Sequence, residues 1–213
     1  MRYQPQGGGA GGGFEDILGG LFGGGGFQRG PQRGQDIEAT TTLPFRQAVE
    51  GSTVTLGVEG RSVTARIPAG VRDGQKIRLR GKGRPGGGGG AAGDLVIAVR
   101  VEPHPVFTLD GKDLRVSVPV TFAEAALGAQ VDVPTLDGGT VTVKVPEGTP
   151  SGRTLRVRGR GVKQAKGDGD LLVTVQVAVP QRLSAEAKAA VEAFAAATDG
   201  ADPRAELRAR ARS

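Results

Sequence analysis

Two stretches of this chain, about 77 residues apart, carry almost the same residues in the same order. Val63-Thr-Ala-Arg-Ile-Pro-Ala-Gly-Val-Arg-Asp-Gly-Gln-Lys-Ile-Arg-Leu-Arg-Gly-Lys-Gly83 returns as Val141-Thr-Val-Lys-Val-Pro-Glu-Gly-Thr-Pro-Ser-Gly-Arg-Thr-Leu-Arg-Val-Arg-Gly-Arg-Gly161. Each copy is followed by Gly-Asp-Leu, at Gly93 to Leu95 and at Gly169 to Leu171, and preceded by a short Phe-containing segment ending in Gly, Phe45 to Gly51 and Phe122 to Gly128. The period is too long for a solenoid unit and suits a duplicated domain. The residues between the markers are β-type, so the expected fold is mostly β: two tandem, homologous, small sandwich-like domains.

Composition narrows the chemistry. Only 4% of the 213 residues are aromatic and there is no Trp, so both cores must rest on Val, Leu and Ile. Cysteine is absent, which removes disulfides, thiolate nucleophiles and Cys-ligated zinc together. A net charge of +6 and a pI near 10.2 would attract nucleic acid or another polyanion at low salt. The sequence has neither an apolar run of membrane-spanning length nor a basic-then-apolar signal pattern, so a cytoplasmic protein is expected.

Along the chain, residues 1–34 are dominated by Gly and are expected to be flexible, because they bury too little apolar surface to offset their ordering entropy. Within them Phe14, Ile17, Leu18, Leu21 and Phe22 fall at the spacing of an amphipathic helix, which two glycine-flanked turns can hold only against a partner surface. From Asp36 the pattern becomes β: Ile37, Ala39, Thr41 and Leu43 alternate with polar residues. Pro44 opens one helical turn closed by Gly51. Thr53 to Val58 and Arg61 to Ile67 read as strands joined by Glu59-Gly60, with further strands at Lys76 to Arg80 and Asp94 to Val101 around a glycine-rich loop read as flexible. The second copy repeats this order from Leu114. The expected divisions are 35–107 for the first domain, 108–182 for the second, 183–200 for a terminal helix N-capped by Ser184, and 201–213 for a frayed basic tail. Leu183, Ala187, Val191 and Phe194 share one face of that helix, an apolar stripe suited to pairing two chains.

Signals for catalysis are poor, and the chain reads as a non-enzyme with no cofactor and no metal site. His104, the only histidine, lies between prolines without a companion carboxylate or nucleophile. Gly83-Arg84-Pro85-Gly86 lacks the Gly-Lys-Ser/Thr ending that places a lysine and a hydroxyl on phosphate and magnesium. Asp94 and Asp170, at equivalent strand starts, read as structural caps. What remains are surfaces. Leu56 and Val58 share a strand face, with Ala39, Thr41, Leu43 and Phe45 nearby, and such an apolar face beside an edge strand can accept an extended peptide. Arg78, Arg80 and Lys82, echoed by Arg156, Arg158 and Arg160, alternate along a strand as a basic ridge for phosphates or an acidic tail.

Several motifs resemble the J-domain co-chaperones of the DnaJ type: the Gly/Phe segment with Phe14-Glu-Asp-Ile-Leu18, Ile67-Pro-Ala-Gly-Val71, His104-Pro-Val-Phe107, Phe122-Ala-Glu-Ala-Ala-Leu-Gly128, Val133-Pro-Thr-Leu-Asp-Gly138 and Gly159-Arg-Gly161. The resemblance implies two β-rich carboxy-terminal domains and a C-terminal dimerisation helix. Such a homodimer holds unfolded client polypeptide for a DnaK-type chaperone and suppresses aggregation under stress without ATP. It implies that the first domain carries the client site, mapping onto Ala39, Thr41, Leu43, Phe45, Leu56 and Val58, and that Arg78, Arg80 and Lys82 can meet the partner chaperone. It assigns dimerisation to Leu183, Ala187, Val191 and Phe194. No His-Pro-Asp triplet occurs, so the J-domain is absent, and the Val58-Glu-Gly-Arg61 hairpin stands where a zinc module would be inserted. The zinc-less, curved-DNA-binding-protein-like class is therefore indicated. The alternative is a nonspecific DNA-binding, nucleoid-associated protein using the basic ridges, without a base-reading helix and with weak, salt-sensitive affinity.

Overall fold

The computed structural model describes residues 30–165, 167–198, 200 and 202–212. The island Phe14 to Phe22 lies outside the described residues. The chain separates into two units, the first ending at Glu102 and the second starting at Pro103.

In the first unit β1 (Ile37–Leu43) is followed by a six-residue helical turn, α1 (Phe45–Glu50), then β2 (Ser52–Val58), β3 (Arg61–Ile67), β4 (Lys76–Leu79) and β5 (Leu95–Val101). β1, β5 and β4 form a sheet in that order, with β1 parallel and β4 antiparallel to β5, while β2 and β3 pair as a hairpin. The Glu59-Gly60 connection works because both residues take positive φ, 47° and 77°, which matches the right-handed twist of a two-residue hairpin. Glu59 is the only non-glycine residue with positive φ among the described residues, and its carboxylate is held by Arg84. Alternation sends Val63, Ala65 and Ile67 of β3 and Leu95, Ile97 and Val99 of β5 into one core with Leu43, Ala48, Val58 and Val71.

The repeated Pro-x-Gly turn has a specific task. Gly70 N–H donates to the Ala48 and Val49 carbonyls at 2.9 and 3.1 Å, and Gly148 N–H donates to Ala126 at 3.2 Å. In each domain the turn therefore satisfies carbonyls left over at the end of the short helix. The closing glycines, Gly51 and Gly128, both sit at φ 80°, and a Cβ on Gly51 would lie 2.9 Å from the Ala69 nitrogen.

The second unit repeats this plan with β7 (Asp113–Thr121), α2 (Phe122–Leu127), β8 (Ala129–Pro134), β9 (Thr140–Val145), β10 (Thr154–Val157) and β11 (Leu171–Ala178). It adds one strand in front, β6 (Phe107–Asp110), so its sheet runs β10-β11-β7-β6. That strand moves the division from after Phe107 to before Pro103, because Phe107 pairs with Val116 of β7. His104 sets up the strand: its Nδ1 accepts from the N–H groups of Val106 and Phe107, each at 3.1 Å.

Two helices follow, α3 (Ala185–Ala197) and α4 (Ala205–Arg210). Ser184 caps α3 by accepting from Ala187 N–H at 3.2 Å. The basic tail, expected to be frayed, instead forms α4, where Arg210 pairs with Glu206 one turn away and Arg208 with Asp202. The loop from Gly81 to Gly93, read from its composition as flexible, is also tied down: Gly83 N–H bonds the Gly93 carbonyl, Gly93 N–H bonds Arg84, and Gln32 and Gly87 exchange both backbone bonds.

Candidate functional site: the margin of the first sheet

β1 is the outermost strand of its sheet. Its parallel register places Ile37, Ala39, Thr41 and Leu43 opposite Leu95, Ile97, Val99 and Val101, and Ile37 N–H donates to the Asp94 carbonyl at 2.8 Å. In a parallel pair, alternate residues turn both backbone groups to the same neighbour. The backbone groups of Glu38, Thr40 and Thr42 therefore face away from β5, to a margin where no further strand pairs among the described residues. An uncovered margin of this kind is a template for strand addition.

The side chains along it step from open to buried. Ile37, Ala39 and Thr41 are half-buried and Leu43 is 2% exposed; on β2, Val54 and Leu56 are half-buried and Val58 is 4% exposed. Ile37, Ala39, Val54 and Leu56 all pack against the same core cluster, so they form its apolar rim. Of the six residues assigned to a client site from sequence, Ala39, Thr41 and Leu56 lie on this rim. Leu43, Phe45 and Val58 are enclosed in the domain. Ile37 and Val54 join the rim without having been assigned to it, although each simply extends the alternation of Ala39 or Leu56 by one step.

The basic ridge is partly consumed by the fold. Arg78 binds Asp36 at 2.7 Å and Asp94 at 2.8 Å, and Arg33 binds Asp94 at 3.0 Å. Asp94 also accepts from Gly81 N–H at 2.8 Å, and that backbone bond leads the causes that hold its carboxyl below the usual range, with Arg78 and Arg33 adding to it. Asp36 is lowered for a matching reason, accepting Asp94 N–H at 2.8 Å. Asp170 repeats the arrangement with Gly159 and Arg156, so these aspartates cap the loop and strand starts, as their repeat-equivalent positions suggest. Arg80 and Lys82 are exposed and take part in no ion pair among the described residues, which leaves them as the free cations of the three assigned to a partner contact.

The residues assigned to dimerisation lie on or beside α3. Leu183, Val191 and Phe194 are 48%, 54% and 47% exposed, and Ala187 is half-buried. Phe194 meets Phe122 of α2 edge-on with ring centroids 5.0 Å apart. Among the described residues no group of His, Cys, Asp and Glu could hold a metal, and no helix is long and apolar enough to cross a membrane.

Comparison with known proteins agrees with this architecture. The chain is 43% identical to "Chaperone protein DnaJ 1" of Streptomyces avermitilis, in a match covering 96% of this chain and 78% of the relative. It is 56% identical to "Chaperone protein DnaJ 2" of Cutibacterium acnes and 57% identical to "Chaperone protein DnaJ 1" of Mycobacterium tuberculosis, each over 68% of this chain. Those two matches span 38% and 37% of the relatives' length. The family described as "DnaJ C terminal domain" matches residues 34–180, both β units from the first strand of one to the last strand of the other, and the chain therefore belongs to the DnaJ C-terminal domain family.

Proposed function

We propose that this chain acts in a chaperone or co-chaperone, as the part that holds unfolded polypeptide. An extended apolar client segment adds to the free margin of β1 and rests its side chains on the rim of Ile37, Ala39, Thr41, Val54 and Leu56. Main-chain bonds from Glu38, Thr40 and Thr42 give sequence-tolerant affinity, and the apolar rim selects the segments that an unfolded protein exposes. The single observation behind this reading is the sheet order, in which β1 stands last with nothing paired to it among the described residues. The held client passes to a DnaK-type chaperone, with Arg80 and Lys82 free to meet an acidic partner segment. Two chains pair through α3, so two weak sites act together and gain affinity through effective concentration.

The test is fluorescence anisotropy of a labelled, unfolded apolar peptide at near-physiological salt, with and without excess duplex DNA. Saturable binding that DNA leaves intact, and that Leu56→Asp weakens by at least about tenfold, is the expected result; tenfold corresponds to about 1.4 kcal/mol. Binding that DNA displaces completely would transfer the function to the basic ridge. A Leu56→Asp protein with unchanged peptide affinity would remove the rim from consideration.

A further inference from the structure

The apolar rim of the first unit is carried by two strands that no sheet joins. β1 belongs to the β1-β5-β4 sheet and β2 to the β2-β3 hairpin. Among the described residues, no ladder of backbone bonds therefore fixes the spacing between Ile37, Ala39 and Thr41 on one strand and Val54 and Leu56 on the other. One end of the pair is closed by the chain itself, since Leu43 leads through α1 into Ser52. The other end, where β1 begins and β2 finishes, has no such covalent link and must be held by side chains and loops.

Arg84 stands at that end. Its N–H donates to the Gln35 carbonyl at 3.0 Å and its Nη1 to Gln35 Oε1 at 3.1 Å, which holds the lead-in to β1. Its Nε donates to Glu59 Oε1 at 2.8 Å, and Nη2 reaches the same oxygen, which holds the residue that follows β2. The loop carrying Arg84 is itself fixed, because Gly93 N–H donates to the Arg84 carbonyl at 2.9 Å and Arg61 Nη2 donates to the Gly83 carbonyl at 3.0 Å. A Cβ on Gly83 would lie 2.7 Å from the Gln35 carbonyl oxygen, so the glycine before Arg84 is what lets the loop come this close. Glu59 keeps its place at φ 47°, a left-handed conformation that a hairpin turn ordinarily gives to Gly, Asn or Asp. A longer side chain kept where the backbone disfavours it points to use of its carboxylate. The Arg84 hydrogen bond leads the causes that hold the Glu59 carboxyl below the usual range, so the pair is ionised at neutral pH.

The second unit keeps the backbone of this junction and drops its guanidinium. Val162 is the counterpart of Arg84: its N–H donates to the Lys112 carbonyl and its carbonyl accepts from Gly169 N–H, each at 2.9 Å, yet its side chain is wholly buried. Asp137, in the turn between β8 and β9, is met by Arg160 at 3.8 Å. Resting on the client-binding reading above, we infer that Arg84 is a positioning residue that fixes the spacing between β1 and β2, and with it the side chains the rim accepts. The clasp is exposed, with the Arg84 side chain at 54% and that of Glu59 at 40%, and an exposed ion pair adds little to stability. Its effect therefore falls on the geometry of the rim and hardly on folding. A gap of about 1 Å forfeits up to half of a van der Waals contact, so a loosened rim loses its grip on short side chains before long ones.

The test uses the full chain and two labelled unfolded peptides that differ only in carrying Val or Phe at their apolar positions. Arg84→Met keeps the length of the side chain and removes its donors. It is expected to weaken the Val peptide about fivefold and the Phe peptide less than about twofold in anisotropy titrations. The thermal midpoint should stay within about 3 °C of the parent's. No change in either peptide, or the same change in both, overturns the inference. Glu59→Gln, which keeps the shape and removes the charge, should shift the two affinities in the same sense, and a shift in the opposite sense overturns it. Arg160→Met, at the related pair of the second unit, should leave both affinities within about twofold; an effect equal to that of Arg84→Met also overturns it. The two failures separate cleanly. If Leu56→Asp weakens peptide binding while Arg84→Met matches the parent, the client site stands and its clasp falls. If Leu56→Asp changes nothing, the client site itself falls.

Discussion

The two β units are built from the same run of elements, yet their first core strands meet opposite fates. β7 lies inside a four-stranded sheet, and its inward residues Leu114, Val116, Val118 and Val120 are all buried. β1 lies at the end of a three-stranded sheet, and of Ile37, Ala39, Thr41 and Leu43 only the last is buried. The duplication preserved the fold's internal devices, the Pro-x-Gly turn under each helix and the aspartate at each Gly-Asp-Leu strand. It did not preserve the margin. β6 pairs with Asp113 to Val116 of β7, whereas no strand pairs along this side of β1 among the described residues, so β1 keeps a full row of backbone groups that a second polypeptide can use. The difference between two copies of one domain is what the proposed client site in the first unit rests on.

The sharpest way to break this comparison is to place the same charge in both units. Val54 and Val131 are equivalent, each two residues into the strand after the closing glycine and each half-buried. Val54→Asp is expected to reduce peptide affinity by tenfold or more, about 1.4 kcal/mol, and Val131→Asp to leave it within about twofold. Equal losses in the two variants would show that clients use both units. Circular dichroism melts on both proteins separate lost binding from lost folding.

The short helices offer a second contrast with the opposite sense. Phe45 is 8% exposed whereas its counterpart Phe122 is 52% exposed, and Phe122 is met on one side by Phe194. Phe45→Ala should therefore cost the first unit about 3 kcal/mol, as removal of an enclosed aromatic does, and leave association unchanged. Phe122→Ala should cost the second unit about 1 kcal/mol, near the value of an aromatic pair. If α3 joins two chains, Phe194→Asp should halve the mass seen by light scattering; a mass unchanged by that substitution would move the interface elsewhere. These effects differ because the second unit leaves around α2 and α3 the apolar surface that the first encloses around α1.

Much of this was legible in the residues themselves. The repeat gave two β units, Glu59-Gly60 gave the hairpin, Pro44 and Gly51 bracketed α1, and Ser184 marked the start of α3, all through local chemistry that a short window contains. The strand pattern could also say that Leu43 and Val58 face inward. It could not say how deep they lie, since alternation reports a face and depth depends on what the opposite sheet covers. The same limit hid the open margin: Ile37-Ala39-Thr41 and Leu114-Val116-Val118 alternate alike, and what separates them is β6. That strand has four residues, too few for a periodic signal, and its turn is set by His104 Nδ1 accepting two backbone N–H groups. The ordered loop from Gly81 to Gly93 was hidden for a related reason, because glycine marks both freedom and close backbone approach.

A smaller effect sharpens the comparison through its ionic parts. Asp94 is shared between two arginines, Arg33 and Arg78, while Asp170 is bound by Arg156 alone among the arginines. Both carboxyls lie below the ordinary Asp range, led in each case by a backbone N–H, from Gly81 and from Gly159. A carboxyl whose folded value is depressed contributes stability that is complete above its unfolded value, about 3.9, and disappears as the pH falls through the lower folded value. Both units should therefore lose resistance to urea as the pH falls below about 4, and neither loss should begin at neutral pH. Asp94→Asn and Asp170→Asn should each flatten that acid slope in their own unit while lowering stability at pH 7. The loss at pH 7 should be greater for Asp170→Asn, because Arg33 and Arg78 keep Asp36 as a partner whereas Arg156 has no other ion pair among the described residues. Urea titrations followed by the amide signals of Ile97 in β5 and Val173 in β11 read the two units separately. If both variants keep the parent's acid slope, the aspartates hold their loops through neutral hydrogen bonds alone, and the arginines around Asp94 add nothing to what distinguishes the first unit.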